Sequence, residues 1–135
     1  MSNDRIAAAA ALARQRAIAV YSGFKVGAAI ETAGGLVFTG CNIENASLGL
    51  TVCAERVALW KALSEGERDF IGIAVISDAD TPATPCGACR QLLWEYCGDI
   101  PVLLQSVSGS NYTIQLAELL PRPFGPGYLS TGKSD

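Results

Sequence analysis

Three cysteines and one glutamate stand at spacings that suit chemistry better than packing. Cys53 is followed by Ala54, Glu55 and Arg56, and later in the chain come Pro85-Cys86-Gly87-Ala88-Cys89. Residues three apart share one face of a helical turn, so the thiolates of Cys86 and Cys89 can reach a single ion. A lone C-x-x-C pair suits a redox dithiol equally well. Cys53 shifts the balance toward a metal, because it too falls at a predicted helix start, where the partial positive charge of the terminus favours a thiolate. Three thiolates leave zinc one position short of a closed tetrahedron, which is the arrangement of a catalytic site rather than a structural one. Glu55 beside that open position would carry protons. Taken alone, a glutamate in a first helical turn is also explained by the helix dipole.

Geometry restricts this reading. Two residues along a helix rotate by about 200°, so Cys53 and Glu55 face one ion only if Cys53 is the non-helical cap and Glu55 lies in the first turn. Charge restricts it further. Three thiolates outweigh a divalent cation and would raise the pKa of a bound water instead of lowering it. Arg56 is the candidate that offsets this, by donating hydrogen bonds to the sulfurs; an exposed helix arginine is its plainer alternative.

Composition narrows the field. The chain has 135 residues, a length suited to one domain built on one core. A net charge of −3 argues against non-specific nucleic-acid binding, which needs a basic footprint. No run approaches the roughly eighteen apolar residues of a membrane span, and the alanine-rich start around Ala7–Ala11 reads as helix rather than as a leader. Five cysteines without an export signal point to a reducing cytoplasm. The absence of histidine removes Ser-His-Asp and Cys-His nucleophile schemes and any zinc site that needs imidazole.

The elements that must position these residues follow from periodicity and breakers. Ser2, Asn3 or Asp4 caps a first helix running to about Val20, with Ile6, Ala10, Leu12, Ala13 and Ala17 available for its buried stripe. Lys25–Glu31 and Leu36–Cys41 form a hairpin about Ala33-Gly34-Gly35. Asn42–Thr51 is irregular, and a second helix spans Cys53–Leu63 with Gly66 beyond its end. Phe70–Ile76 is an apolar strand covered on both faces. A third helix spans Cys86–Cys97, a strand covers Pro101–Val107, and a second hairpin leads into Tyr112–Gln115. Leu116–Leu120 suits a short helix and Pro121–Gly127 a draped loop. This order implies an α/β fold, a mixed sheet with helices on its faces.

Cys53-Ala54-Glu55-Arg56 followed by Pro85-Cys86-Gly87-Ala88-Cys89-Arg90 resembles the zinc-dependent nucleoside and nucleobase deaminases, whose signature H-x-E…P-C-x-x-C has a three-cysteine variant. Tyr21-Ser22-x-Phe24-x-Val26-Gly27-Ala28, Gly40-Cys41-Asn42-Ile43-Glu44-Asn45, and Leu119-Leu120-Pro121 with Phe124 are similar to the small homotetrameric cytidine deaminases. The resemblance implies a three-layer α/β/α domain over residues 1–135 with a mixed sheet of about five strands. It implies hydrolysis of cytidine and 2′-deoxycytidine to the uridines and ammonia, with Cys53, Cys86 and Cys89 as Zn²⁺ ligands, a zinc-activated water attacking C4, and Glu55 as proton shuttle. By the same resemblance Phe24 packs on the pyrimidine, Asn42 and Glu44 bind the ribose hydroxyls, the backbone at Ala54 reads the base carbonyl, and Arg56 neutralises thiolate charge. Without it, Phe24 suits a core aromatic, Asn42 and Glu44 a solvated loop, and Cys41 and Cys97 small buried hydrophobes. Leu48 departs from the family pattern, which is often aromatic there. The resemblance further implies a cytoplasmic homotetramer acting on a small-molecule nucleoside, with no nucleic acid or membrane as partner, and with Phe124 or neighbouring tail residues lent across a subunit contact. Two rival readings remain: a blasticidin-type deaminase, and a structural zinc or redox module closed by Cys41 or Cys97.

Overall fold

The computed structural model of the chain describes residues 3–129. Helix α1 spans Asn3–Arg14 and buries Ile6, Ala10 and Ala13, a spacing of four then three that keeps them on one face. Leu12 is exposed, two residues round the helix from Ala10. The helix stops short of Val20, and the cause is tertiary. Ile18 N–H donates to the Asn42 carbonyl at 2.9 Å and the Ile18 carbonyl accepts from Glu44 N–H at 2.8 Å, so the chain extends to pair instead of continuing to coil. The proposed cap at Ser2 lies outside the described residues.

Strands β1 (Val26–Thr32) and β2 (Val37–Cys41) form the expected antiparallel hairpin. Helix α2 covers Ala54–Ser64, β3 Phe70–Ser77, α3 Gly87–Cys97, β4 Pro101–Ser106 and β5 Asn111–Gln115. A four-residue helix α4, Leu116–Leu119, follows, and the tail carries a single 3-10 turn at Pro126–Tyr128. A further 3-10 turn, Leu48–Leu50, lies in the segment read as irregular.

One five-stranded sheet runs β2-β1-β3-β4-β5, antiparallel except where β3 and β4 run parallel. Alternation with period two decides which side chains go to which face. Ala29, Ala74, Ile76 and Leu103 meet α1 through Ile6 and Ala10. Ala28, Ile30, Ile73, Val75, Val102 and Leu104 point the other way, onto α2 and α3 through Ala58, Leu59 and Leu93. The result is the three-layer α/β/α arrangement with the mixed sheet in the middle.

Small residues set the layer spacing where it matters most. A Cβ on Gly40 of β2 would stand 2.4 Å from the Ala54 carbonyl oxygen and 2.5 Å from the Ala58 nitrogen. The first turn of α2 therefore lies directly on the strand, and a side chain at position 40 forces it outward. Gly40→Ala should destabilise the protein by about 1–3 kcal/mol, the usual penalty for overpacking. Denaturant unfolding checks this, and a change below about 0.5 kcal/mol would show that α2 is not held so closely.

Candidate active site

Both helix starts end in a cysteine that is not yet helical. Cys53 caps α2 with φ −75° and ψ 152°, and Cys86 caps α3 with φ −63° and ψ 163°. Neither thiol is used to cap its own helix, so both point elsewhere. At a helix start the cap side chain faces the residue three further on. In α3 that residue is Cys89, and in α2 it is Arg56. The same local geometry thus pairs thiol with thiol in one helix and thiol with guanidinium in the other.

The Sγ atoms of Cys53, Cys86 and Cys89 all lie within 4.8 Å of one another, with Cys53 and Cys86 4.0 Å apart. Two sulfurs bound about 2.3 Å from one zinc at a tetrahedral angle stand about 3.8 Å apart, so this soft donor set fits zinc with a small contraction. Cys41 and Cys97 are not in the cluster among the described residues, and no fourth sulfur closes it. This removes the structural four-cysteine arrangement.

Arg56 Nη2 donates to Cys53 Sγ at 3.3 Å. Its Nε is buried and makes no hydrogen bond to any described residue, which leaves a second donor beside the sulfurs. The thiol protons are unevenly shared. A hydrogen bond from Cys89, helped by the hydrogen bond and charge of Arg56 and opposed by burial, brings Cys53 down to about 5. That same hydrogen bond to Cys53, with burial and the nearby Glu55 and Cys53 charges, holds Cys89 far above the usual thiol range. Glu55 is 5% exposed. Burial, reinforced by the Cys53 charge, pushes it up to about 7 against the pull of its own backbone hydrogen bond and Arg56.

These groups open on a cavity of about 320 Å³. Cys53, Ala54, Glu55 and Cys86 line one part of it, and Phe24, Asn42 and Glu44 another. Cys89 is fully buried, one helical turn after Cys86. The strand-like stretch Asn42–Glu44 is gripped on both sides. Ile43 exchanges two backbone hydrogen bonds of 3.0 Å with Val52, while Ile18 pairs with Asn42 and Glu44. Since Val52 adjoins Cys53, the polar pair and the metal cluster are fixed relative to each other through one residue.

The side chains of the polar pair are tied inward. Asn42 Oδ1 accepts from Val26 N–H and its Nδ2 donates to the Phe24 carbonyl, both at 2.8 Å. The Glu44 carboxylate accepts from the Ser22 hydroxyl, from Ser22 N–H at 3.0 Å and from Tyr21 N–H at 2.9 Å. The Ser22 hydroxyl bond, then its amide, hold Glu44 below the ordinary carboxylate range. Phe24 is 39% exposed at the cavity wall and not part of the core. Leu48 and Phe124 do not line the cavity among the described residues. Leu48 is exposed in its 3-10 turn, and Phe124 stacks on Tyr128 with ring centroids 5.4 Å apart.

Sequence reasoning assigned nothing to Ser22, which serves the site through Glu44 and also accepts from Phe24 N–H at 3.0 Å. The available signal was local: a serine two residues before Phe24 is a side-chain turn former. Thr84 and Ala83 also line the cavity from the loop ahead of Cys86, a segment whose sequence signals only a turn.

Known proteins resemble this chain over most of its length. The family described as the cytidine and deoxycytidylate deaminase zinc-binding region matches residues 1–103. A cytidine deaminase of Halalkalibacterium halodurans is 52% identical over 113 residues, 83% of this chain and 86% of that one. A cytidine deaminase of Sporosarcina psychrophila is 43% identical over 131 residues, 96% of either chain. The crystal structure of cytidine deaminase from Burkholderia pseudomallei superposes with a TM-score of 0.88 at 46% identity, covering 92% of this chain and 100% of that one. A cavity walled by a thiolate cluster that fits zinc, in a chain that matches over this extent, identifies the protein as a member of the cytidine and deoxycytidylate deaminase family.

Proposed function

We propose that the chain hydrolyses cytidine and 2′-deoxycytidine to uridine and 2′-deoxyuridine with release of ammonia, as one deaminase domain in pyrimidine nucleoside salvage. The observation that carries this is a single cavity with Cys53, Cys86 and Glu55 on one part of its wall and Phe24, Asn42 and Glu44 on another. The relatives named cytidine deaminase over nearly the whole chain point the same way.

Zinc is the cofactor, held by Cys53, Cys86 and Cys89; when bound it supplies Lewis acidity that makes a water nucleophilic near neutral pH. Glu55 accepts that water's proton and delivers it to N3 of the ring, which draws electrons from C4 and opens it to attack. The same carboxyl then carries the remaining hydroxyl proton to the amino nitrogen, which departs as ammonia while the C4 carbonyl forms. A carboxyl that titrates near neutral pH suits both directions of transfer. Arg56 disperses the thiolate charge that would otherwise make the water less acidic. Phe24 offers a face to the pyrimidine. Asn42 retains one N–H and one lone pair, and Glu44 one lone pair on Oε2, for sugar hydroxyls. The Ala54 N–H belongs to a first helical turn, whose amides have no helical acceptor, and is free for the base carbonyl.

The rest of the proposal concerns setting. We place the protein in the cytoplasm as a homotetramer, without nucleic-acid or membrane partners. No described helix is long and apolar enough to cross a membrane. Val20, Tyr21, Leu48, Leu50, Phe124 and Tyr128 expose apolar area that subunit contacts would cover. Light scattering should return the mass of a tetramer, and a monomer at working concentration would overturn that part.

Glu55→Gln should retain zinc and lose cytidine turnover by about 10²–10⁴-fold. Unchanged turnover in a zinc-loaded variant would exclude Glu55 as the shuttle. Metal binding should follow pH with a definite sign. A zinc ligand must be a thiolate, and Cys89 keeps its proton in the metal-free protein, so binding expels at least that proton. Cys53, already brought down to about 5, adds nothing above neutrality. Apparent zinc affinity, measured against a chelator of known pH dependence, should rise with pH, roughly tenfold per unit for each proton expelled. A flat profile would mean that no ligand proton is displaced.

A further inference from the structure

We propose that Arg90 is a positioning residue for this reaction: its guanidinium holds the cavity wall formed by Thr84 and Cys86 in the geometry that turnover requires. The inference rests on the deaminase reading and assigns a role to a side chain that does not line the cavity. Arg90 Nε donates to the Pro85 carbonyl at 2.7 Å, Nη2 to Thr84 Oγ1 at 2.6 Å, and Nη1 to the Leu119 carbonyl at 2.9 Å. Three different edges of one planar group are thus bonded to three points of the chain. A lysine ammonium is a point charge on a flexible stem and cannot hold three such acceptors in one plane.

The wall needs such a holder. Residues 78–85 form no helix or strand. Thr84 and Cys86 are exposed on either side of the fully buried Pro85, so packing seats the chain at 85 but leaves its two neighbours, which line the same cavity as Glu55, to be oriented by hydrogen bonds. The far end of the loop is fastened separately, where Ser106 Oγ donates to the Ala79 carbonyl at 2.5 Å. The near end, which carries the metal-binding cap residue, relies on Arg90. Its position makes this economical: Arg90 N–H bonds the Cys86 carbonyl at 2.9 Å within the first turn of α3, and the side chain folds back along that turn to residues 84 and 85. The third bond satisfies the last carbonyl of α4, which otherwise has no helical partner, and so ties the tail to the same point.

A misplaced wall disturbs the reacting geometry more than it weakens the contacts at Phe24, Asn42 and Glu44. Arg90→Gln in the zinc-loaded protein should therefore lower kcat by about 10- to 100-fold while KM changes by less than about threefold. Arg90→Lys should recover part of the loss. Thr84→Val keeps the side-chain shape and removes one acceptor, so it should lower kcat in the same direction, and Arg90→Gln should cost less in that background than in the wild type. A readout independent of turnover is amide hydrogen exchange, which should accelerate over residues 83–89 in Arg90→Gln and stay unchanged in β1 and β2. Wild-type kcat in Arg90→Gln, a rise in KM alone, or unaltered exchange at 83–89 would each overturn the proposal. If Arg90→Gln does not fold, Thr84→Val decides it by the same split. A wild-type protein that leaves cytidine untouched, yet shows the exchange difference, would instead sink the deaminase reading.

Discussion

Everything in this molecule defers to the need to bring three thiol groups within 4.8 Å of one another and keep them there. Sulfurs so close repel once ionised, and the protein meets this with two kinds of positive charge before any metal arrives. One is diffuse, the paired starts of α2 and α3, whose cap residues Cys53 and Cys86 meet at 4.0 Å. The other is discrete, the Arg56 guanidinium 3.3 Å from Cys53. Arg56 adds to the hydrogen bond from Cys89, the larger influence, in bringing Cys53 down to about 5. Cys89 keeps its proton until a cation compensates it. The site is therefore partly prepared: Cys53 stands ready as a thiolate, while ionisation of Cys89 waits on binding.

Two helices can converge in this way only if the sheet beneath lets them come close. Gly40 removes the side chain that would lift α2, and because β2 and β3 both run antiparallel to β1, with Cys41 and Ile76 flanking Gly27, the loop into α3 leaves the sheet at the same end as the segment into α2. Ile43 then lies between Ile18 and Val52, so that polar residues from one segment and thiols from another share a cavity wall. The short α1 follows from this arrangement. Its last expected turns are used as the outer partner of Ile43's strand-like segment, and that pairing outweighs helix propensity.

Much of this was legible in the chain. The cap role of Cys53, the first-turn position of Glu55, the end of α3 at Cys97, and both hairpins follow from breakers and periodicity, which are local signals. The layers were legible too, because the unbroken apolar run Phe70–Ile76 calls for cover on both faces, and β3 is buried on both. What could not be read depends on partners far away in sequence. The extension at Ile18, the exposure of Leu12, the bond from Ser22 to Glu44 and the fork of Arg90 all answer to residues that spacing does not reveal. The pairing of Asn42 with Glu44 shows the limit well. Alternation put them on one side, but only the fold shows that both are tied to residues 21–26.

That tie divides the cavity into two mechanical units. Phe24, Asn42, Glu44 and Ser22 form one hydrogen-bonded cluster, fastened through backbone and side chain alike. Thr84, Pro85, Cys86 and Arg90 form another, fastened by one guanidinium and by the buried Pro85 ring. Between them lie Ala54 and Glu55, on a helix start pressed against Gly40 and deeply buried. Of the three parts, the middle one has the least freedom, and it holds the carboxyl that the proposed mechanism uses in both proton transfers. The outer parts combine buried anchors at Asn42 and Pro85 with hydrogen bonds to more exposed neighbours, which suits surfaces that must let a nucleoside in and ammonia out. Rigidity is thus greatest around Ala54 and Glu55, and it falls away toward the more exposed walls on either side.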